Sequence, residues 1–141
     1  MTTLKERILD IVKGPTLADL ATITEDGKPW VRPVIIEAKD DMIFQCAAVE
    51  WGRKNAQVQK NPEVHLTCGI YAKTDEGPWL QIQGLAEYST DPDVRHDFWS
   101  DRLSLIFDGP DDPKFGVLTV TAYRIEVWMI GDPNYELWER E

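Results

Sequence analysis

The sequence predicts a mainly β protein of the α+β class, in which six antiparallel strands and three short helices form a sheet or barrel. Two observations support this. Strand-like segments, apolar or alternating, recur between turns rich in Gly, Pro and Asp. Short turns join the first three strands, which is typical of an antiparallel meander and not of a parallel crossover. With 141 residues, 43% of them apolar and 28% charged, we expect one domain over residues 1–141 with its own core.

The first part of the chain is predicted to hold one helix and the three-stranded meander. Apolar residues recur on one face of residues 4–12, and Gly14-Pro15 ends this helix. Asp26-Gly27 is a strong hairpin signal between the first two strands, and "KDD" turns the chain into the third. The three strands are predicted at residues 18–24, 30–38 and 42–49.

The rest of the chain alternates short helices with strands. A helix over residues 52–60 ends at Asn61-Pro62, because proline disfavours helical geometry in the residue before it. Another helix is expected over residues 89–103, with Thr90 as its capping residue. Interrupted alternation at Ala122-Tyr123 predicts a bulge. The remaining strands are predicted at residues 63–72, 79–89 and 117–130.

The charge balance limits the possible partners. The chain carries 25 acidic and 15 basic side chains, a net charge of −10. Neutralising nucleic-acid phosphates or docking on an anionic membrane needs a broad basic surface, so neither partner is expected. The N-terminus lacks the apolar core of a secretion signal, and no run approaches the ~18 apolar residues of a membrane span. We therefore expect a cytoplasmic protein.

The cysteines and histidines indicate structural roles. Cys46 and Cys68 lie in strand-like segments, which favours free buried thiols over a disulfide or redox pair. Neither His65 nor His96 has a neighbour at metal-ligand spacing, so we expect no metal site. His65 lies in an apolar strand, where a hydrogen-bonded structural histidine is favoured.

Two adjacent cations, Arg53 and Lys54, stand where the third strand has ended and the next helix begins. Gly52 leaves the backbone free to turn there, and the first amides of a helix have no intrahelical acceptor. Exposed N–H groups, the positive end of a helix dipole and two cations together favour a bound phosphate. The alternative is a pair of solvated cations that balance Glu50.

This segment resembles the pyridoxamine 5'-phosphate oxidase-like flavoproteins, the FMN-binding split barrels. The match is "WGRKNAQVQKNPEVHL" after the strand "IFQCAA", and two further matches are "GKPWVRPVII" and "YRIEVWMI". The resemblance implies a six-stranded antiparallel split β-barrel of the Greek-key type, with FMN as cofactor and a homodimer whose site lies at the subunit interface. In its small size the chain resembles the general-stress-protein-like and uncharacterised members more than the oxidase itself.

Carried onto this chain, the resemblance implies cofactor-binding residues on two strands and the turn that follows them. Arg53, Lys54 and backbone amides would hold the phosphate, because Trp51 and Gly52 stand where many members have Ser or Thr. Arg32 would donate near N1 of the flavin, or else be a strand-surface cation. The ring and ribityl chain would lie beside Arg32, Pro33, Val34 and Ile35, with Gln45, Cys46 and Ala47 lining the ring from the neighbouring strand.

The function implied by the resemblance is that of an FMN-dependent oxidoreductase with an unknown small-molecule substrate and no assignable catalytic side chain. The oxidase's substrate-phosphate residues have no recognisable counterpart in "GDPNYELWERE", so oxidation of pyridoxamine phosphate is not expected. Two alternatives stay open: a non-catalytic flavin-binding stress-response protein, and a split barrel that binds deazaflavin cofactor or haem. His65 and His96 are the imidazoles available to a haem.

Overall fold

Six antiparallel strands close into a barrel and a seventh extends its wall, in a computed structural model that describes residues 1–69 and 77–141. The predicted mainly β barrel with short helices is thereby confirmed. The elements are α1 (Leu4–Ile11), β1 (Thr16–Ile23), β2 (Pro29–Lys39), β3 (Ile43–Val49), α2 (Arg53–Lys60), β4 (Glu63–Cys68), β5 (Trp79–Ser89), α3 (Pro92–Phe98), a 3-10 helix (Asp101–Leu105), β6 (Phe115–Trp128) and β7 (Glu136–Glu139).

The strand order explains how the barrel closes. β1, β2 and β3 form the predicted meander, and β4 returns to pair with β1, which gives the order 3-2-1-4 of a Greek key. β5 and β6 continue the wall. β6 then pairs with β3, from Ile43↔Thr121 to Val49↔Phe115, and this pairing joins the two ends of the sheet.

Three details differ from the sequence prediction. The single helix predicted over residues 89–103 is two helices, because the backbone of Ser100 is extended between α3 and the 3-10 helix. α3 is capped by Asp91, whose side chain accepts from the Asp93 N–H, and not by Thr90. β7 was not predicted at all, since a four-residue strand is too short to show a period.

The bulge predicted at Ala122-Tyr123 is confirmed. Gln83 of β5 pairs with Arg124, whereas its neighbour Gly84 pairs with Ala122, so Tyr123 is the extra residue on β6. Residues 70–72, the predicted end of the fourth strand, lie outside the described residues.

Apolar side chains fill the barrel as one cluster, and a smaller cluster packs α3 and the 3-10 helix against the wall. Cys46 and Cys68 belong to the first cluster as free, buried thiols, which confirms the prediction for both. The second cluster consists of Phe98, Leu103, Phe107, Phe115 and Val117.

The barrel wall is open between β2 and β3. The two strands pair over a short stretch only, from Lys39↔Ile43 to Glu37↔Gln45. Beyond Glu37 the rest of β2 pairs with β1 alone, and beyond Gln45 the rest of β3 pairs with β6 alone. Each strand therefore has one sheet edge without a strand partner there.

We call the gap between Pro29–Ile36 of β2 and Cys46–Val49 of β3 the split cleft. Pro33, which has no amide hydrogen, lies on the β2 side of this cleft. A proline is tolerated there because prolines in sheets are confined to edge strands or bulges. Half of the main-chain groups along these edges face away from the neighbouring strand, so the cleft presents donors and acceptors to a ligand.

None of the helices in residues 1–69 and 77–141 is long and apolar enough to cross a membrane. Within the same residues, no three His, Cys, Asp or Glu side chains come together in a way that could hold a metal ion.

Candidate functional site

Three cations meet where α2 begins: Arg32, Arg53 and Lys54, which we call the cationic corner. Arg32 interacts electrostatically with both of the others. The Arg53 guanidinium lies 5.4 Å from the centre of the Trp30 ring on β2. Arg32 and Lys54 are half-buried, and Arg53 is exposed. The pair that is adjacent in sequence thus gains a third cation from a separate strand.

The corner carries positive charge without a neighbouring acid. Among residues 1–69 and 77–141, no carboxylate lies within ion-pair distance of the three cations, and Glu50 pairs with neither Arg53 nor Lys54. The alternative interpretation is thus supported for solvation, since Arg53 is exposed, but the structure shows no ion pair with Glu50.

Burial and mutual repulsion disfavour the charges at the corner. Burial is the main cause that lowers the pKa of Arg32, and the neighbouring Arg53 lowers it further. Burial is also the main cause that lowers the pKa of Lys54, with a smaller contribution from Arg32. A bound anion would offset both effects by favouring the charged forms.

The start of α2 is open to a ligand because its N-cap residue, Gly52, makes no side-chain hydrogen bond to the first amides of the helix. The amides of Arg53 and Lys54 have no intrahelical acceptor at this position. A Cβ on residue 52 would lie 3.1 Å from the Val49 carbonyl oxygen and 3.6 Å from the Lys54 ammonium nitrogen. Glycine therefore keeps free a space beside that nitrogen.

Arg32 is fixed in place by hydrogen bonds to β1 and α2. It donates to the Leu20 carbonyl at 3.3 Å, to the Thr22 hydroxyl at 2.7 Å and to the Gln57 carboxamide oxygen at 3.2 Å. Thr22 donates to the same Gln57 oxygen. These contacts hold the half-buried Arg32 side chain against β1 and α2, close to the other two cations, instead of leaving it free in solvent.

Asn55 ties the turn before α2 to the helix. It is 4% exposed, and its side-chain NH₂ donates to the carbonyls of Val49, at 2.7 Å, and Glu50, at 3.4 Å. Its Oδ1 is buried and has no hydrogen-bond partner in the described parts of the chain. The turn is thus hydrogen-bonded to α2, and one buried acceptor is left for a donor.

Cys46 lies close enough to Lys54 and Arg32 for both cations to act on its thiol. Burial nevertheless raises the pKa of this thiol to about 11. The thiol is therefore protonated at neutral pH and packs as an apolar residue, because nucleophilic chemistry needs the thiolate.

The other residues predicted on β2 border the split cleft from both faces of the wall. Val34 packs against the barrel core, whereas Pro33 and Ile35 are exposed on the outer face. Alternate residues of a strand point to opposite faces, so side chains 32–35 cannot all contact one ligand. What they share is the strand edge, where a ligand would meet main-chain groups.

The residues predicted on β3 divide in the same way. Cys46 points into the barrel core, Gln45 donates to the Thr119 hydroxyl at 3.1 Å, and Ala47 packs against the second core cluster. The structure therefore brings Arg32, Cys46, Arg53 and Lys54 together, and it places the side chain of Gln45 on the other face of the wall.

Four residues of the site were not predicted from the sequence: Trp30, Thr22, Asn55 and Gln57. Trp30 and Thr22 contact the corner only because β1, β2 and α2 meet in the fold. The spacing of residues within any one of these elements does not predict that meeting. For Asn55 and Gln57 the sequence held a weak indication. They lie on a short helix that must bury one face, and a buried polar side chain needs a hydrogen-bond partner.

His65 lies elsewhere, half-buried on the outer face of β4. Burial lowers its pKa, and no hydrogen bond joins its ring to another described residue, so the expected hydrogen-bonded role is not observed. His96 is exposed and lies 2.7 Å from Asp111. With Gln81, Gln83, Arg124 and Glu126, His65 lines a polar pocket of about 160 Å³.

Comparison with known proteins shows similarity over most of the chain. General stress protein 26 of Bacillus subtilis (strain 168) is 24% identical over 129 residues, which cover 92% of this chain and 91% of that protein. The crystal structure of General Stress Protein 26 from Bacillus anthracis str. Sterne superimposes with a TM-score of 0.80 at 22% identity, covering 99% of this chain and 100% of that one.

Proteins with other cofactors in their names share the same fold. A haem-binding protein from Mycobacterium smegmatis has a TM-score of 0.69 at 14% identity, covering 99% of this chain and 59% of that one. An F420 reductase has a TM-score of 0.64 at 19% identity, covering 83% and 94%. At such identities the likeness shows the fold alone.

The sequence profile described as pyridoxamine 5'-phosphate oxidase matches residues 4–129, nearly all of the barrel. This match, the split between β2 and β3 and the cations at the start of α2 agree with the resemblance found in the sequence. The chain belongs to the pyridoxamine 5'-phosphate oxidase family.

Proposed function

We propose that this protein binds FMN, with the phosphate at the cationic corner and the isoalloxazine ring along the split cleft. We further propose that it acts as a cytoplasmic homodimer and as an oxidoreductase on a small molecule. One observation carries the proposal: three cations meet at the start of a helix whose N-cap makes no side-chain hydrogen bond. Among the described residues, no carboxylate lies within ion-pair distance of them.

The residues of the corner fit a phosphate dianion. Lys54 and Arg53 supply charged donors, the first amides of α2 supply neutral ones, and Gly52 leaves room between them. Anions bind at helix starts because the unpaired amides and the helix dipole point towards them. In this proposal Arg32 adds charge at the phosphate end of the cofactor and not at N1 of the ring.

The split cleft fits a flat, polar-edged ring. Its two borders are strand edges with main-chain donors and acceptors, and the pyrimidine part of a flavin has the same groups along one edge. Val34 and Cys46 add an apolar lining on the core side. Hydrogen bonds from the main chain do not depend on side-chain identity, which suits a binding site whose side chains point to both faces.

Flavins supply the hydride or electron transfer themselves, and the protein binds, orients and shields them. Near the corner, the Cys46 thiol is protonated and Arg32 is held by three acceptors, so neither serves as a proton carrier at neutral pH. The chain's own residues therefore act by binding and positioning. This leaves open the alternative of a flavin-binding stress-response protein without turnover.

A homodimer is supported by apolar side chains on the outer face of the barrel. Leu17 and Ile35 are cross-strand neighbours, 43% and 40% exposed, and Val31 on the same face of β2 is 64% exposed. Contiguous exposed apolar surface next to a binding cleft is typical of a protein–protein contact.

A deazaflavin cofactor is the second candidate, because it carries a phosphate that the same corner would hold. The F420 reductase among the structural neighbours favours this candidate over others. Titration of the purified apoprotein with each cofactor distinguishes the two. Bound haem would be detected by its absorption spectrum, and that spectrum should be lost in His65→Ala or His96→Ala.

Isothermal titration with FMN and with riboflavin tests the main proposal. Lys54→Gln and Arg53→Gln should each weaken FMN by about ten- to a hundredfold, since a charge-assisted hydrogen bond contributes about 1.5–3 kcal/mol. Riboflavin, which has no phosphate, should bind all variants alike. Lys39→Gln, at the other end of β2 and paired with Asp97, is the matched control and should change neither. Equal losses for both ligands, or no heat with FMN, would overturn the assignment.

A further inference from the structure

A second concave site adjoins the cationic corner on the outer side of α2. This pocket, about 490 Å³ in volume, lies between α2 and the turn that joins β1 to β2. We call it the hairpin pocket. Its lining includes Ile23, Gly27, Arg53, Ala56, Gln57 and Lys60.

The hairpin pocket and the corner are continuous. Arg53 belongs to both, and Gln57, which lines the pocket, accepts a hydrogen bond from Arg32. Residues 53, 56, 57 and 60 follow the spacing of one helical face, whereas Lys54 lies on a neighbouring face towards the barrel. A phosphate at the corner would therefore have the split cleft on one side and the hairpin pocket on the other.

The volume is larger than a phosphate needs and lies within the range of small-molecule sites. Ile23 and Ala56 provide apolar surface, and Gly27 adds no side chain that would fill the space. Thr24, Gln57 and Asn61 add hydrogen-bonding groups to the lining. Apolar surface with a few polar groups suits a flat heterocycle that has polar edges.

The charges at the rim of the pocket favour a second phosphate over a carboxylate-bearing tail as the group that extends beyond the first phosphate. Lys60 lies 2.7 Å from Glu25, so one of the two cations at the pocket already has a partner. Glu25 would repel a tail bearing several carboxylates. Arg53 has no such partner among the described residues, and its five N–H donors are enough to contact a further phosphate as well as the first.

We infer that the hairpin pocket binds the adenosine end of a dinucleotide, so that the chain prefers FAD to FMN. This inference rests on the proposed function, because the shared phosphate must lie at the cationic corner. The isoalloxazine would keep its place in the split cleft, the second phosphate would lie at Arg53, and the adenosine would occupy the pocket beside Ala56.

Titration of the apoprotein with FMN and with FAD tests the inference. Wild-type protein should bind FAD at least about tenfold more tightly than FMN, which corresponds to about 1.4 kcal/mol. Ala56→Trp places a large ring in the pocket from an exposed helical position, and it should bring FAD down to the FMN affinity while FMN is unchanged. Ala56→Leu fills less space and should give an intermediate result, and circular dichroism checks that both variants are folded.

The outcomes separate the two proposals. FMN binding with no advantage for FAD would overturn this inference and leave the proposed function standing. A preference for FAD that survives in both folded Ala56 variants would also overturn it. If the wild-type protein binds neither nucleotide, the proposed function fails and this inference fails with it.

Discussion

The Arg53 guanidinium lies over the Trp30 ring, 5.4 Å from its centre, and so joins the first residue of α2 to the start of β2. Both side chains are exposed. A cation over an indole face is held by the ring's electron density and by little else here. Trp30 therefore orients a charge that would otherwise point freely into solvent.

Replacing Trp30 by Leu should weaken FMN binding about two- to fivefold, because an exposed cation–π contact contributes about 0.5–1 kcal/mol. Trp30→Phe keeps a ring face and should lose less. Isothermal titration measures both variants. If the Leu variant binds as well as wild type, the indole does not position Arg53 for the phosphate.

Replacing Lys54 by Met should stabilise the apoprotein and abolish tight FMN binding. Burial lowers the pKa of Lys54, so folding removes water from a charge that has no acidic partner among the described residues. Methionine has a similar length and no charge. We expect the apoprotein Tm at pH 7 to rise by about 2–4 °C, the effect of about 1 kcal/mol.

The matched control for this prediction is Lys60→Met. Lys60 is exposed on the same helix and paired with Glu25, so its removal should not raise the Tm. If the Tm of Lys54→Met falls below that of wild type, the buried ammonium group does not destabilise the apoprotein and the prediction is wrong.

Alkaline pH should destabilise the fold through its buried thiols. Burial raises the pKa of Cys68 from 9.0 to about 12. The folded protein then keeps a proton that the unfolded chain loses, so this contribution is complete below pH 9 and is lost as the pH rises towards 12. One thiol changes the free energy of unfolding by at most about 1.4 kcal/mol per pH unit.

Comparing Cys68→Ala with wild type isolates this effect. The variant should be less stable at about pH 8, because it loses buried volume, but its Tm should fall less steeply up to about pH 11. The other alkaline groups titrate in both proteins and cancel in the difference between slopes. Parallel curves would contradict the assignment.

Gly84 permits the bulge, and Gly84→Ala should destabilise the barrel by about 1–3 kcal/mol. A Cβ at this position would lie 2.7 Å from Cγ1 of Val120 and 2.8 Å from the carbonyl oxygen of Thr121. Adding Val120→Ala removes the first clash and leaves the second, which involves backbone. Urea unfolding should therefore show partial recovery in the double variant, and full recovery would place the strain in the side chain alone.

The barrel was predictable because its information is local. The Asp26-Gly27 turn, the alternation along β5 and the interruption at Ala122-Tyr123 each constrain a few neighbouring residues. Asp91 was missed as the cap of α3 because Thr90 beside it is an equally good capping residue, and the backbone chooses between them.

The binding site was only half predictable, for the opposite reason. Arg53 and Lys54 are adjacent in sequence, and Gly52 before them marks the turn. Arg32 joins them through hydrogen bonds to Thr22 and Gln57, which depend on three elements meeting. The register of β2 determines on which face of the wall the side chains of residues 32–35 lie. A register shift of one residue would move each of them to the opposite face.

The pairing of β3 with β6 has a consequence for synthesis in the cell. β3 leaves the ribosome well before the strand that completes the barrel, Phe115–Trp128, which is translated only after β4 and β5. At about 5–20 residues per second, the nascent chain spends seconds with the β3 edge and its apolar side exposed. A polypeptide released before Phe115 cannot close the wall, and we expect quality-control proteases to remove it.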